Sequence, residues 1–146
     1  MDAKKDTRSK KEREAEVDAE LHHATKKLLE QMEEALAQDY AAIENGLPAL
    51  ARVKLSPTLE HLLKKKIVQH YFLQSQGLNA LARWIIVNPD GSSPLVQVVE
   101  LAFSILESLK IDASHLEESN IASIVKQYSV GDSDHRHLIN RASQLI

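Results

Sequence analysis

The chain has 146 residues, of which 43% are apolar, with a formal net charge of −3 and no cysteine. This length and apolar content suffice for one domain with a core, or for one domain plus an extension, and exclude a wholly disordered chain. The lack of cysteine excludes a disulfide scaffold, a thiol nucleophile and a thiolate zinc site. No apolar run has the length of a membrane span, and the N-terminus is charged where a signal peptide is apolar, so we expect a soluble intracellular protein.

The N-terminal part is the most densely charged region of the chain. Residues 1–12 show no apolar spacing, and we expect a flexible segment there. Residues 13–45 are predicted to form one long amphipathic helix that ends at Asn45-Gly46. Its apolar positions recur at steps of three and four: Val17, Leu21, Ala24, Leu28, Met32, Leu36, Tyr40 and Ile43. The helix either is largely solvated or packs its apolar stripe on the domain at 46–146, and the length of the stripe favours packing.

Two Ser-Pro pairs mark predicted helix starts, because serine caps a helix N-terminus and proline fits its first turn. The first, Ser56-Pro57, opens a helix that we expect to end in the lysines 64–66, where cations meet the negative end of the helix dipole. The second, Ser93-Pro94, opens a helix to about Leu109. This helix is apolar on nearly every side and is therefore predicted to be central.

Shorter helices complete the predicted fold. One spans Val68–Gln74, and Gly77 separates it from a helix over Leu78–Val87 that carries Trp84, which we expect in the core. Beyond a capping-box pattern at 114–117, two more helices follow, one ending near Gly131 and one starting near Asp132. No segment alternates with the period of a strand. The pattern predicts an all-α bundle, or a short right-handed stack of helix pairs, with about six to eight helices.

Nothing in the sequence indicates catalysis. The most suggestive metal pattern is Asp132–His137, but two histidines two residues apart on a helix point about 200° away from each other. Acidic residues there also suit a helix N-terminus, so we interpret the cluster as a cap. The paired carboxylates Glu33-Glu34 and Glu117-Glu118 are typical of a solvated helix face. We therefore predict no enzyme, and no catalytic, cofactor or metal site.

A basic cluster provides an alternative function. Arg52, Lys54 and the lysines 64–66 lie near Tyr71 and Phe72 in the sequence, which would suit a helical module that binds nucleic acid by phosphate contacts and base stacking. The same residues are also typical of a helix end with cations, followed by two core aromatics. The second interpretation is favoured, and the first stays open.

A series of short motifs resembles a known family. In chain order they are Gly46–Leu50, Val53–Pro57, Gly77, Leu81, Trp84, Asp90–Pro94, Leu101, Leu106, Leu109, Leu116–Ile121 and Leu138–Asn140. Their order and spacing resemble the TFIIS N-terminal domain as it occurs in the Iws/Spn family of transcription elongation factors. The resemblance covers residues 46–146 and leaves the long N-terminal helix as an addition.

The resemblance implies a curved stack of helices related to armadillo or HEAT repeats, residence in the nucleus and no chemistry. It further implies that the chain binds a short disordered segment of the histone chaperone Spt-six and couples it to elongating RNA polymerase II. An alternative is another adaptor of the same domain class with a different peptide partner.

Carried over from the family, the partner-binding candidates lie on three parts of the chain: Lys54, Lys66, Ile67, Val68, Ser123, Lys126, Gln127 and Tyr128. The chain departs from the family here. Ala122-Ser123 replaces a glycine followed by a basic residue, and Lys126-Gln127 replaces an apolar-aromatic pair. We therefore expect details of partner recognition to differ.

Overall fold

In the computed structural model, residues 9–109, 111, 115 and 119–129 are described, with only the backbone for 127–129. These residues form six helices: α1 (Lys10–Glu44), α2 (Ala51–Leu62), α3 (Lys66–Gln74), α4 (Gly77–Ile85), α5 (Val96–Ser108) and α6 (Ile121–Ser129). The described ranges contain no strand, so the predicted all-α class is confirmed. None of these helices combines the length and the apolar character that crossing a membrane requires. The predictions for 1–8, for the capping box at 114–117 and for Asp132–His137 and the last helix fall on residues outside this description.

Helix α1 consists of an exposed half followed by a packed half. It starts after Ser9, whose hydroxyl accepts a hydrogen bond from the Glu12 N–H at 3.1 Å, and this cap places the start ahead of the predicted residue 13. Val17 is 54% exposed, whereas Leu28 and Met32 are fully buried. Along its length α1 contacts α2, α3 and α4. The apolar stripe therefore serves packing on the rest of the fold.

The start of α2 is a correction to the sequence analysis. The helix begins at Ala51, not at Ser56-Pro57, because the Asp39 carboxylate on α1 accepts hydrogen bonds from the N–H groups of Ala51 (2.7 Å) and Arg52 (3.2 Å). Pro57 lies inside α2, and the Ser56 hydroxyl donates to the Arg52 carbonyl at 2.8 Å instead of capping a terminus. The cap that starts α2 thus comes from another helix.

The lysines 64–66 do not form the last turn of α2, as the sequence analysis predicted. Helix α2 ends at Leu62, and Lys66 is the first residue of α3. The intervening turn is tied to α3 by Gln69, whose side-chain amide donates to the Leu63 carbonyl at 2.7 Å. The three lysines therefore mark a corner between two helices.

Helix α4 occupies the centre of the fold and packs on α1, α3, α5 and α6. Trp84 is 1% exposed, as expected of a core residue, and its indole Nε1–H donates to the Met32 carbonyl of α1 at 2.9 Å. Gly77 is the first residue of α4, where a Cβ atom would overlap the ring of Phe72. Helix α5 packs on α2 and α4 and buries Val98, Val99, Ala102, Phe103, Ile105 and Leu106.

Candidate protein-binding surface

A buried ion pair fixes the corner where α1, α2 and the end of α4 meet. The Arg52 Nε–H donates to Asp39 Oδ2 at 2.6 Å, and the two side chains are 3% and 1% exposed. The Arg52 Nη1 donates to the Trp84 carbonyl at 2.8 Å, and Nη2 donates to Asn88 Oδ1 at 3.2 Å. Because a buried charge is tolerated only when it is paired, Arg52 is a structural residue.

Two loops at this corner present apolar side chains to solvent. Leu47 and Leu50 in the α1–α2 connection are 62% and 44% exposed, and Val87 after α4 is 53% exposed. The Arg52–Asn88 hydrogen bond holds the loop after α4 against the start of α2, which follows Leu50 directly. We call these three residues the loop patch, and Lys54 lies one helical turn from Leu50 on the same side of α2.

The loop after α4 is held by its own hydrogen bonds. The Asn88 side-chain amide donates to the Ser92 hydroxyl at 3.1 Å, and that hydroxyl donates to Asp90 Oδ1 at 2.5 Å. The hydrogen bonds from the Ser92 hydroxyl and N–H lower the pKa of Asp90 below its ordinary value. A carboxylate held in this way keeps the loop conformation at neutral pH.

Three residues on which the nucleic-acid interpretation of the basic cluster depends are not available to bind nucleic acid. Arg52 is committed to Asp39, and Phe72 is fully buried. The Tyr71 hydroxyl donates to Asp18 Oδ2 at 2.6 Å, and the ring stacks on His22 with centroids 4.2 Å apart. The hydrogen bond to Asp18 also raises the pKa of Tyr71. The alternative that stayed open, a stacking surface beside Arg52, therefore lacks its aromatic faces and this cation, whereas Lys54 and the lysines 64–66 are exposed.

The predicted partner-binding residues lie on different parts of the surface. Lys54 is exposed on α2, and Lys66 and Ile67 are exposed at the start of α3. Ile67 lines a concavity of about 390 Å³ together with Val17 and Leu21 of α1. Val68 is fully buried and can contribute only by supporting its neighbours.

The α6 candidates are partly described. Ser123 and Lys126 are exposed on α6, which packs on α4, whereas the side chains of Gln127 and Tyr128 lie outside the described residues. The concavities lined by Ile67 and Lys66 contain neither Ser123 nor Lys126.

Sequence reasoning missed an open groove between α2, α3 and α5, which we call the α2–α3–α5 groove. It consists of two adjoining concavities of about 550 and 330 Å³ that share Lys64, Gln69 and Ser108. One end is lined by Glu60, Leu63, Leu101, Ser104 and Ile105. The other end is lined by Lys66, His70, Leu73, Gln74 and His115. The available signal was the pair Ser104 and Ser108, two small polar residues spaced four apart on a largely apolar helix.

A further cleft of about 540 Å³ lies between α1, α4 and the start of α6. Arg83 of α4 pairs with Glu33 of α1 at its rim, and both side chains are half exposed. Its lining mixes the amides of Asn79 and Asn120 with aliphatic side chains. Among the described residues, no group of three histidine, cysteine or acidic side chains is placed to hold a metal ion.

No protein-family model matches the chain. Among individual proteins, it is 29% identical over 120 residues to transcription factor iws1 of Schizosaccharomyces pombe, covering 82% of this chain and 28% of that protein. It is 30% identical over 122 residues to transcription factor IWS1 of Gibberella zeae, with the same coverage, 82% and 28%. It is 28% identical over 103 residues to transcription factor SPN1 of Saccharomyces cerevisiae, covering 70% of this chain and 25% of that protein. The chain thus spans little more than a quarter of the length of these relatives, whose names describe transcription factors and not enzymes.

The fold matches a solved structure. A chain in the crystal structure of a Spt6-Iws1(Spn1) complex from Encephalitozoon cuniculi superposes with a TM-score of 0.81 and 24% identity, covering 86% of this chain and 91% of that one. This likeness confirms the predicted helical fold. Together with the sequence relatives, it also confirms the resemblance on which the sequence analysis relied.

Proposed function

We propose that this chain, a relative of the Iws1/Spn1 transcription factors, is a transcription elongation adaptor that binds a short disordered segment of the histone chaperone Spt6. The observation that carries the proposal is the combined likeness to proteins named Iws1 or Spn1 and to a chain solved in a Spt6-Iws1(Spn1) complex. Coupling of Spt6 to elongating RNA polymerase II and residence in the nucleus belong to the same proposal.

The surface chemistry suits a peptide partner. The loop patch supplies exposed aliphatic side chains, and Lys54 adds a cation beside it. Disordered segments commonly dock apolar side chains in such a setting and place acidic flanks near cations. Ser123, Lys126, Gln127 and Tyr128 on α6 and Lys66, Ile67 and Val68 at the start of α3 are the other proposed contacts.

Isothermal titration of the chain with a peptide from the acidic N-terminal region of Spt6 of the same organism tests the proposal. We expect 1:1 binding in the micromolar range or tighter. Absence of heat with folded protein at high concentration would reject Spt6 and direct attention to another peptide partner of this domain class.

Charge-reversal variants identify the surface. Lys54→Glu and Lys126→Glu should each weaken binding by about fivefold, because each replaces a cation near an acidic peptide by a repelling carboxylate. Lys26→Glu is the matched control, since Lys26 is exposed on α1 and lines none of the concavities described above. If all three variants bind like the parent chain, the proposed contacts are wrong even where Spt6 binding itself holds.

Nuclear residence has its own readout. A fluorescently tagged chain expressed in its own cells should accumulate in the nucleus and co-purify with Spt6 and RNA polymerase II. Loss of polymerase from purified Spt6 when this chain is depleted is the expected result for an adaptor. Polymerase that stays with Spt6 in the absence of the chain would contradict the coupling role.

A further inference from the structure

We propose that the α2–α3–α5 groove is a second docking site, which takes a short acidic peptide rich in aliphatic side chains from a protein partner. The groove is long enough for this occupant. Its lining on α5 runs from Leu101 to Ser108, about two helical turns, which corresponds to about 10 Å or three extended peptide residues.

The floor and the rim differ in character. Leu63, Leu73, Leu101 and Ile105 provide an aliphatic floor. Lys64 and Lys66 are exposed at the rim, and within the described residues neither forms an ion pair. An apolar floor with available cations at its edge is complementary to leucine or isoleucine side chains flanked by aspartate or glutamate.

The charges are arranged along the groove. Lys66 and His70 line one end, whereas Glu60 lines the other end, with Lys64 between them. A peptide whose acidic residues cluster at one terminus therefore has one favourable orientation. The opposite orientation would place its carboxylates beside Glu60.

A nucleic acid is the less suitable occupant. Strong base stacking uses a large aromatic face, and among the described residues no phenylalanine, tyrosine or tryptophan lines the groove. The aromatic rings that do line it, His70 and His115, are the smaller imidazoles. The Glu60 carboxylate would repel a phosphate backbone, and the chain carries a net charge of −3.

This site goes beyond the proposed Spt6 interaction. The groove lining contains neither Lys54 nor the described α6 residues Ser123 and Lys126. Because Lys66 stands both at this rim and among the proposed Spt6 contacts, the test depends on Lys64 and Ser108 instead.

Fluorescence anisotropy with a labelled synthetic peptide that has glutamates at one terminus and leucines after them tests the inference on the full chain. Lys64→Glu should weaken binding about fivefold by reversing a rim charge. Ser108→Trp should reduce binding by at least about tenfold, because the indole would fill the junction of the two concavities. Gln97→Trp adds the same ring at an exposed position of α5 outside the groove and should leave binding unchanged.

Three results would overturn the inference. The first is equal binding of the peptide by Ser108→Trp and Gln97→Trp. The second is displacement of the labelled peptide by the Spt6 peptide, where Lys126→Glu abolishes that displacement. The third is tighter binding of a single-stranded DNA probe than of the peptide, where Lys64→Glu removes the DNA binding. Circular dichroism of each variant distinguishes a lost site from a lost fold. Spt6 binding measured on the same variants keeps the failure of this inference separate from a failure of the proposed function.

Discussion

Replacing Asp39 by alanine should be among the most damaging single changes in the described part of the chain. The substitution removes the acceptor of three hydrogen bonds at once: those from the N–H groups of Ala51 and Arg52 and that from the Arg52 guanidinium. It also leaves a buried cation without its counter-ion.

The expected magnitude follows from these two losses. Loss of a helix cap costs about 1 kcal/mol, and an uncompensated buried charge costs about 3–5 kcal/mol. No discount for solvent screening applies, because both side chains are at most 3% exposed. Arg52 keeps two neutral acceptors, the Trp84 carbonyl and Asn88 Oδ1, which limits the loss. We expect the free energy of unfolding to fall by about 4 kcal/mol in total and the melting temperature by roughly 12 °C.

Urea unfolding followed by circular dichroism at 222 nm measures this change. The combined substitution Asp39→Leu with Arg52→Met removes both charges and should be more stable than Asp39→Ala alone, although it still lacks the α2 cap. A loss below about 1 kcal/mol for Asp39→Ala would refute the reasoning. So would a double variant that is destabilised by the full sum of its two single changes.

Trp84→Ala should lower the free energy of unfolding by about 3–5 kcal/mol, because it removes the largest fully buried side chain of the described residues. Urea unfolding measures this change, and unchanged stability with lost partner binding would contradict the core assignment. Gly77→Ala should lower the free energy of unfolding by about 1–3 kcal/mol, because the new Cβ would overlap the ring of Phe72. Gly46→Ala should lower it by about 1 kcal/mol, because of the positive φ of 70° alone. Thermal melts that show the reverse order would disprove the packing argument. Asp18→Asn should lower the pKa of Tyr71. In the parent chain, the raised pKa of Tyr71 means that stability from this contact is present below pH 10.0 and is lost as the pH rises through the folded-state pKa. Tyrosinate absorbance that titrates identically in both proteins would reject the contact.

Local periodicity was enough to predict the class of the fold and much of its core. The recurrence of Leu28, Met32 and Leu36 marks the buried face of α1, and the apolar residues of α5 supply six buried side chains. The central helix is nevertheless α4, and not α5 as the sequence analysis predicted. Trp84 was expected in the core and lies there. These features depend on residues a few positions apart, which the sequence displays directly.

The errors share a cause. Arg52 resembles a surface cation, Ser56-Pro57 resembles a helix start and Tyr71 resembles a core aromatic until their distant partners are known. Those partners are Asp39 and Asp18 on α1, and only the folded chain brings them near. The α2–α3–α5 groove was missed for the same reason, because three helices that are separate in sequence build it. The residues proposed to contact Spt6 come from the family resemblance and stay a prediction.

The dependence of the other helices on α1 has a consequence for dividing the chain. The packed half of α1 carries the Met32 carbonyl that receives the Trp84 indole and the Asp39 carboxylate that caps α2. It therefore behaves as an intramolecular ligand, held at high effective concentration by the short α1–α2 connection. Cutting the chain within 45–50 should yield two fragments that reassemble without a covalent link. A fragment starting at residue 46 would need the α1 peptide in trans to acquire its native stability.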